Sequence, residues 1–506
     1  MQLPAEAAFT VAPPDPSGAG RDRLCDLLAR PTFYLRAFGC QMNEHDSERI
    51  HGMLHAEGLR RVAQPEEAGL LIYNTCTVRE KADSRLVGHL GTARRLKTRA
   101  SGVVVVVAGC LAQSRGEDLL REQACVDVLV GPQDIASLPS LVRRRLEEGT
   151  RGSALAPTTT VFSADLPRVR REGPLAWVQI MTGCTNFCSY CVVPLVRGPE
   201  ASRPAHHIIA EAQGLVADGV REVTLLGQNV NAYGREPGFH GTHDFADLLW
   251  ALAEIDGLYR VRFMNSHPKD VSPGLVRALA SCPVVCEHLH LPAQSGSDRI
   301  LRAMRRGYTR ADYLALVHRL REEVPNLALT SDLIVAFPGE SEDDFQQTLT
   351  LAEECGFDTA FTFIYSPRPG TRAASLPDRP ARGVAERRVE ELIALMQAQS
   401  RVANERLVGS MQEILVEGGD GDGRVWGRTR SHKLVHVAAS CTAGSDGGAA
   451  AAPKAPQCGA RHDREHASPS GGLPPWFAHP PLGSLLAVHI DSATSATLKG
   501  HRLEDC

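Results

Sequence analysis

Long apolar runs are missing from this chain. Stretches such as Val103 to Ala108 fall far short of the ~20 residues that a membrane-spanning helix requires, and this one reads as a buried strand. The first thirty residues carry Pro4, Pro13, Pro14, Pro16, Gly18 and Gly20, with neither a basic start nor an apolar centre. They do not read as a secretory or transit peptide, and a disordered extension over 1–30 is expected. Charge of one sign is also lacking. With 55 Lys and Arg against 59 Asp and Glu, the net charge is -4, so nucleic-acid contacts have to come from local basic patches. The fourteen cysteines come without a secretion signal, which points to reduced thiols in a cytoplasmic protein, not to a disulfide framework.

What is present divides naturally. At 506 residues the chain is too long for one core and should form about three domains. Hydrophobic content of 43% and charged content of 23% are those of an ordinary globular protein. The most informative stretch runs from Met181 to Pro194, where Cys184, Cys188 and Cys191 are spaced Cys-x3-Cys-x2-Cys. No fourth Cys or His lies nearby, so a zinc site or reduced core cysteines fit it poorly. A cubane iron–sulfur cluster has four irons, and three thiolates leave one of them open. An open metal position is the mark of chemistry, since structural sites close their shells with protein ligands.

From Phe33 the pattern is strand, turn, helix, repeated over a domain spanning 31–147. Strands are expected at Phe33–Phe38, Gly69–Tyr73 and Val103–Ala108, with Asn43 capping a helix through Ile50, Met53 and Leu54. Alternating strands and helices imply a doubly wound parallel sheet, whose strand ends share one edge. Cys40, Cys76 and Cys110 each follow a strand end and should therefore converge into a second three-thiolate site. Between the strands, Arg79 to Arg99 carries seven Lys or Arg against Glu80 and Asp83. This is a solvated helix face or, with a nucleic-acid substrate, a phosphate contact.

Residues 148–169 read as a linker. Over 170–402, strands at Trp177–Met181, Glu222–Leu226, Tyr259–Phe263, Val285–Leu289, Leu329–Val335 and Ala360–Ile364 alternate with helices. Six parallel strands suggest an open partial (β/α)6 barrel with its chemistry at the strand ends. Polar motifs stand there: Gly227 to Asn231, Asn265 to Pro268, Pro292 to Ser297 and Phe337 to Glu340. Cys282 and Cys286 are not expected to meet, because Pro283 and two valines disfavour a helix between them. His288 and His290 should line the barrel in a structural role. Over 405–504 the pattern becomes a small all-β barrel interrupted by a Gly-, Ala-, Pro- and Ser-rich insertion at 441–475. Arg424, Arg428, Arg430 and Lys433 have no acid among them and form a candidate RNA-facing patch.

The Cys184, Cys188, Cys191 motif, with Tyr190 before the last cysteine, resembles the radical S-adenosylmethionine (radical SAM) enzymes. With Gly39-Cys40-Gln41-Met42-Asn43, Asn74-Thr75-Cys76, Gly109-Cys110, Leu226 to Asn231 and His290 to Leu301, the chain is similar to the MiaB-type tRNA methylthiotransferases from about Phe33 onward. The resemblance implies two [4Fe-4S] clusters, one on Cys184, Cys188 and Cys191 and an auxiliary one on Cys40, Cys76 and Cys110 that holds the sulfur to be transferred. It implies S-adenosylmethionine as cofactor, and Gln228, Asn229, Ser266, Gln294, Gly339 and Glu340 are the candidate contacts. The implied activity is methylthiolation of C2 of N6-isopentenyladenosine beside the anticodon of tRNA, in a cytoplasmic monomer with no membrane contact. An electron donor and a sulfur source are required, and no residue identifies either. The last domain is similar to the TRAM domain, an RNA-binding β-barrel. Two departures from the family pattern stand out: Leu195-Val196 replace an aromatic residue and Thr, and Ala336 replaces Gly. Alternatives are the N6-threonylcarbamoyladenosine substrate, a ribosomal-protein aspartate, or a non-catalytic iron–sulfur RNA-binding protein. Gln41-Met42-Asn43 and Gln228 to Asn231 favour the isopentenyl substrate.

Overall fold

A computed structural model of the chain describes residues 9–11, 23–77, 80–99, 102–155, 166–241, 243–420, 423–438 and 480–502. Arg79, most of the 1–30 extension, the centre of the 148–169 linker and the 441–475 insertion lie outside the described residues. The chain divides into two compact units, residues 1–400 and 401–506.

The first unit begins with a six-stranded parallel sheet. Its spatial order is Arg60–Arg61, Thr32–Phe38, Leu70–Thr75, Val104–Gly109, Val128–Val130, Gly152–Ala154. The strands Leu70–Thr75 and Val104–Gly109 are buried throughout because both faces are covered. Leu70, Ile72, Val104 and Val106 pack with Ile50 and Leu54 on one face. Leu71, Tyr73, Val105 and Val107 pack with Leu86 and Leu90 on the other. A continuous apolar run is what a doubly covered parallel strand requires.

Three expectations need correction. Residues 1–30 are not uniformly disordered, for Leu24–Leu27 is a short helix and Leu24 and Leu28 join the same core as Phe33, while Phe9–Val11 pairs antiparallel with Val169–Arg171. The 148–169 segment supplies the strand Gly152–Ala154, which pairs with Val128–Val130, so the domain does not end at 147. These elements are three or four residues long, too short for a periodicity to show above their Pro and Gly neighbours. Asn43 does not cap its helix either. The helix is Gln41–Ala56 with Cys40 at the N-cap, and Asn43 is fully buried one turn inside.

The barrel strands are Leu175–Gln179, Glu222–Leu226, Arg260–Phe263, His288–His290, Ala328–Val335 and Thr359–Ile364, all parallel. They form two three-stranded sheets joined at a single bridge between Val261 and Val285. The expected strand Val285–Leu289 is displaced to His288–His290, with Val285 outside it in an isolated bridge. Outward residues such as Val223, Val261, Leu289, Leu329 and Leu333 pack against Leu215, Leu248, Leu279 and Leu320 from the surrounding helices. The second unit contains a closed five-stranded barrel of Met411–Gly419, Val425–Thr429, Leu434–Val437, Leu498–Arg502 and Leu485–Ala493 in that order. Closure leaves its small core of Ile414, Val416, Val425, Val435, Val437, Val488, Ile490 and Leu498 without an open edge.

After the fifth strand of the partial barrel, Ala336 has φ of 58°, a left-handed conformation that costs a β-carbon-bearing residue about 1–2 kcal/mol. The turn is held by Glu340, whose Oε1 accepts from Ala336 N at 2.8 Å and from Arg388 Nη1 at 2.7 Å, deep in the interior. Ala336→Gly should therefore stabilise the first unit by about 0.5–1 kcal/mol after allowing for the looser unfolded chain. A higher thermal midpoint for that unit is the expected result, and an unchanged or lower one would mean that the turn carries no strain.

Candidate functional site

The register of the parallel sheet decides where three of the cysteines go. Phe38 is opposite Thr75, and Thr75 is opposite Gly109, so Cys40, Cys76 and Cys110 leave adjacent strands at the same level. The sheet changes winding direction between Thr32–Phe38 and Leu70–Thr75, and such switch points open the crevice where doubly wound proteins bind ligands. Asn43 and Asn74 brace this edge. Asn43 Nδ2 donates to Asn74 Oδ1 at 3.1 Å and to Thr75 O at 3.2 Å, and Asn74 Nδ2 donates to Asn43 O at 2.8 Å.

Glycine precedes the cysteine at Gly39, Gly109 and Gly183, with φ of 150°, 90° and 75°. At Gly109 a β-carbon would overlap Asn74 Oδ1 and Thr75 O; at Gly183 it would overlap the carbonyl of Pro199. Only glycine lets the chain turn so sharply at a strand end and present the next thiol over the rim. The barrel cysteine loop is further pinned by Gly183 N donating to Gln228 Oε1 at 2.6 Å and Cys184 N donating to Gly198 O at 3.1 Å.

Each thiol set faces one buried arginine, and sequence reasoning singled out neither. Arg306 donates from Nη1 to Cys188 Sγ at 3.4 Å and from Nη2 to Pro292 O at 2.8 Å, with its guanidinium over the Tyr308 ring at 5.3 Å. Arg197 lies against Cys40 and Cys110 and pairs with Asp46 at 2.8 Å; both partners are about 5% exposed. Its carbonyl accepts from Gln133 Nε2 at 2.7 Å. The hydrogen bond from Cys76, helped by Arg197, lowers the Cys40 pKa to about 6. Burial raises Cys110, and pushes Cys184 up to about 11 and Cys191 up to about 12. The buried barrel thiols therefore need an added positive charge to become thiolates, which is what iron supplies.

None of the eleven described cysteines is in a disulfide. Among the described residues, the only three ligand atoms within 4.8 Å of one another belong to His489, Asp491 and His501 on the small barrel. Neither cysteine set closes to the ~3.8 Å sulfur spacing that a single tetrahedral zinc with ~2.3 Å bonds requires. Cys282 and Cys286 are buried, and Cys282 Sγ approaches Leu249 O at 3.8 Å. His290 does line the barrel, with Nδ1 3.0 Å from Thr330 Oγ1.

The candidate cofactor contacts separate into two groups. Asn229 Oδ1 and Ser266 Oγ are buried polar atoms without a partner, as atoms awaiting a ligand are. Asn229 is oriented by donating to Glu200 at 3.1 Å and Asp270 at 2.9 Å. Gln294, with φ of 69°, and Gly339, with φ of 78°, shape neighbouring rim turns. Gln228 and Glu340 instead hold backbone amides of the protein through their carboxamide or carboxylate oxygens. Arg299 and Ser297 both bond Asp344, which explains the sequence Ser297 to Leu301 as rim bracing.

The basic segments also change character. Arg428 is paired with Glu417, so the group Arg424, Arg428, Arg430 and Lys433 has an acid beside it after all. Arg424 and Lys433 stand at opposite ends of Val425–Thr429, a strand about 16 Å long, and make a line, not a cluster. In the helix Glu80–Arg99, Lys97 binds buried Asp127 at 2.6 Å and serves the core.

Removing one partner of a buried ion pair leaves the other charge uncompensated, at a cost of about 3–5 kcal/mol. Asp46→Ala should destabilise the first unit by that amount, whereas Asp46→Leu combined with Arg197→Met should cost less. Chemical denaturation of the single and double variants measures the coupling, and additive losses would show that the pair does not interact.

The model of the radical SAM superfamily matches residues 178–352, and that of an uncharacterized protein family, UPF0004, matches residues 32–131. A radical S-adenosylmethionine methyltransferase from Kitasatospora setae, TsrM, superposes with a TM-score of 0.50 at 15% identity, covering 68% of this chain and 77% of that one, which shows the fold. The chain is 43% identical over 441 residues to the tRNA-2-methylthio-N(6)-dimethylallyladenosine synthase of Bordetella avium, covering 86% of this chain and 91% of that protein. It is likewise 43% identical over 408 residues to the synthase of the same name from Natranaerobius thermophilus, covering 80% and 90%. With that likeness covering four fifths or more of the chain, the chain belongs to the tRNA-2-methylthio-N(6)-dimethylallyladenosine synthase family of radical SAM proteins.

Proposed function

We propose that this protein attaches a methylthio group to C2 of N6-dimethylallyladenosine beside the anticodon of tRNA. The observation that carries this reading is the presence, in one compact unit, of two three-thiol sets at the open ends of two parallel sheets, each beside a buried arginine. Cys184, Cys188 and Cys191 would hold one [4Fe-4S] cluster, and Asn229, Ser266, Gln294 and Gly339 would contact S-adenosylmethionine. Cys40, Cys76 and Cys110 would hold the second cluster. When bound, these groups supply an electron, a carbon-centred radical, a methyl group and the sulfur to be transferred. Arg306 and Arg197 offset the negative charge of each thiolate set, while Gln228 and Glu340 keep the rim loops in position.

The small barrel of the second unit would recruit RNA through phosphate contacts from Arg424, Arg430 and Lys433, with Arg428 restrained by Glu417. No helix of the described residues is long and apolar enough to cross a membrane. The substrate and the reduced thiols are consistent with the cytoplasm, and the chain would work as a monomer with an electron donor and a sulfur source.

Alanine at Cys184, Cys188 and Cys191 together should remove about half of the reconstituted iron and all reductive cleavage of S-adenosylmethionine. Alanine at Cys40, Cys76 and Cys110 should leave that cleavage measurable and abolish 2-methylthio product. Iron and sulfide assays with nucleoside mass spectrometry distinguish the two, and product formed without the second set would refute its sulfur-carrying role.

Changing Arg424, Arg430 and Lys433 to Gln should weaken tRNA binding and reduce the salt slope by about one for each phosphate no longer neutralised, with S-adenosylmethionine cleavage in the absence of tRNA unaffected. An unaltered salt dependence would return these residues to ordinary solvated surface.

A further inference from the structure

The barrel interior divides sharply by chemistry. Leu329, Leu333 and Val335 of the fifth strand pack outward against the helices. Thr330 and Asp332 alternate with them and face inward, where His290 Nδ1 meets Thr330 Oγ1 at 3.0 Å and His290 Nε2 meets Asp332 Oδ1 at 3.6 Å. In parallel strands, residues in register point to the same face. Asp332 is in register with Phe361, and Ile334 with Phe363, so both phenylalanines of the last strand project into the interior. The 6.1 Å contact between the His290 and Phe361 rings, at 71°, agrees with this placement.

Phe361 is 52% exposed and Phe363 40% exposed. Much of the inner face is otherwise polar or charged, as at Arg262, whose Nε pairs with Glu222 Oε1 at 2.8 Å. Large apolar side chains left open beside ionic and hydrogen-bonded groups mark a surface for an apolar ligand group. Among the described residues the last strand pairs only with the fifth, so this shelf borders the open side of the barrel.

We propose that Phe361 and Phe363 form the subsite for the branched, apolar N6-dimethylallyl substituent of the target adenine, with Phe361 determining selectivity for it. This rests on the function proposed above. Asp332, beside Phe361 in the sheet, sharpens the choice. Its carboxylate would repel the carboxylate of an N6-threonylcarbamoyl group while leaving an uncharged hydrocarbon unaffected. Phe361 contacts the substituent, away from the C2 position that reacts, so it is a specificity-determining residue.

The test compares an anticodon stem-loop RNA bearing N6-dimethylallyladenosine with the same RNA bearing unmodified adenosine, using the full chain with its clusters reconstituted. Fluorescence anisotropy reads binding, and nucleoside mass spectrometry reads kcat/KM. The wild type should prefer the dimethylallyl RNA at least tenfold, the scale of one or a few buried carbon groups in a pocket. Phe361→Ala should lose about tenfold of that preference through weaker binding of the dimethylallyl RNA, with the unmodified RNA little affected. Phe361→Leu, which keeps the apolar surface, should retain most of the preference. Iron content and cleavage of S-adenosylmethionine without RNA should match the wild type in both variants. Preference undiminished in Phe361→Ala and in Phe361→Ala with Phe363→Ala would overturn the subsite while leaving the proposed function intact. Equal losses on both RNAs would also overturn it, by showing that the ring serves the adenine or the fold. A wild type that forms no 2-methylthio product from the dimethylallyl RNA would instead bring down the functional reading and the subsite with it.

Discussion

Two buried guanidinium groups hold the arrangement of this protein together. Six thiols gathered at two sites in a low-dielectric interior cannot all ionise without compensating charge, and a fixed cation beside each set lowers that barrier. Arg306 meets Cys188 and also the carbonyl of Pro292, so the charge that faces the barrel cysteines anchors a second rim loop. Arg197, from the segment that follows the barrel cysteines, meets Cys40, Cys110 and Asp46. Because Arg197 stands six residues after Cys191, one continuous segment bears barrel cysteines at its start and faces the other thiol set at its end. The short helical turn Val193–Val196 within that segment packs Val192 and Val196 against Cys110. The two sites are thereby built as one object. Both lie in the compact unit from 1 to 400, where Glu211 also pairs with Arg168 and Arg203, both at 2.7 Å.

Many rim residues serve the scaffold more than the ligand. Gln228 holds the cysteine loop through Gly183, Glu340 holds the strained turn at Ala336, and Asp344 holds Ser297, Arg299 and Ser341 together. Such bracing keeps the loop atoms in place, including buried Asn229 Oδ1 and Ser266 Oγ, which have no partner within the protein. The division between inner and outer strand faces separates two tasks. Stability comes from the outward aliphatic residues against the helices, which leaves the inward positions able to carry histidine, aspartate and exposed phenylalanine.

Much of this was legible in the linear chain because parallel sheets convert sequence order into position. A cysteine that follows a buried strand ends at the sheet edge whatever the helices between do, so Cys40, Cys76 and Cys110 were bound to converge once their strands were recognised. The spacing of Cys184, Cys188 and Cys191 carries its own geometry, and the positive φ at Gly39, Gly109 and Gly183 accounts for the glycines beside them. Barrel strands such as Glu222–Leu226 were readable from apolar runs bounded by turns. The closed barrel near the C-terminus was legible as a series of short strands, although which of its basic side chains already had acidic partners was not.

Tertiary structure alone decided the rest, because the remaining contacts join residues far apart in sequence that carry no pattern of their own. Asp46 and Arg197 are separated by 151 positions, and Cys188 and Arg306 by 118, with nothing local to link them. The burial of Asn43 follows from packing against Asn74 and Thr75, which overrides its usual preference for a helix cap. The inward direction of Phe361 depends on strand register, and its alternation with outward residues is invisible until Asp332 is known to lie beside it. Residue types and local spacing thus determined which chemistry the chain can carry, while long-range register and buried charge pairing decided which side chains attend it.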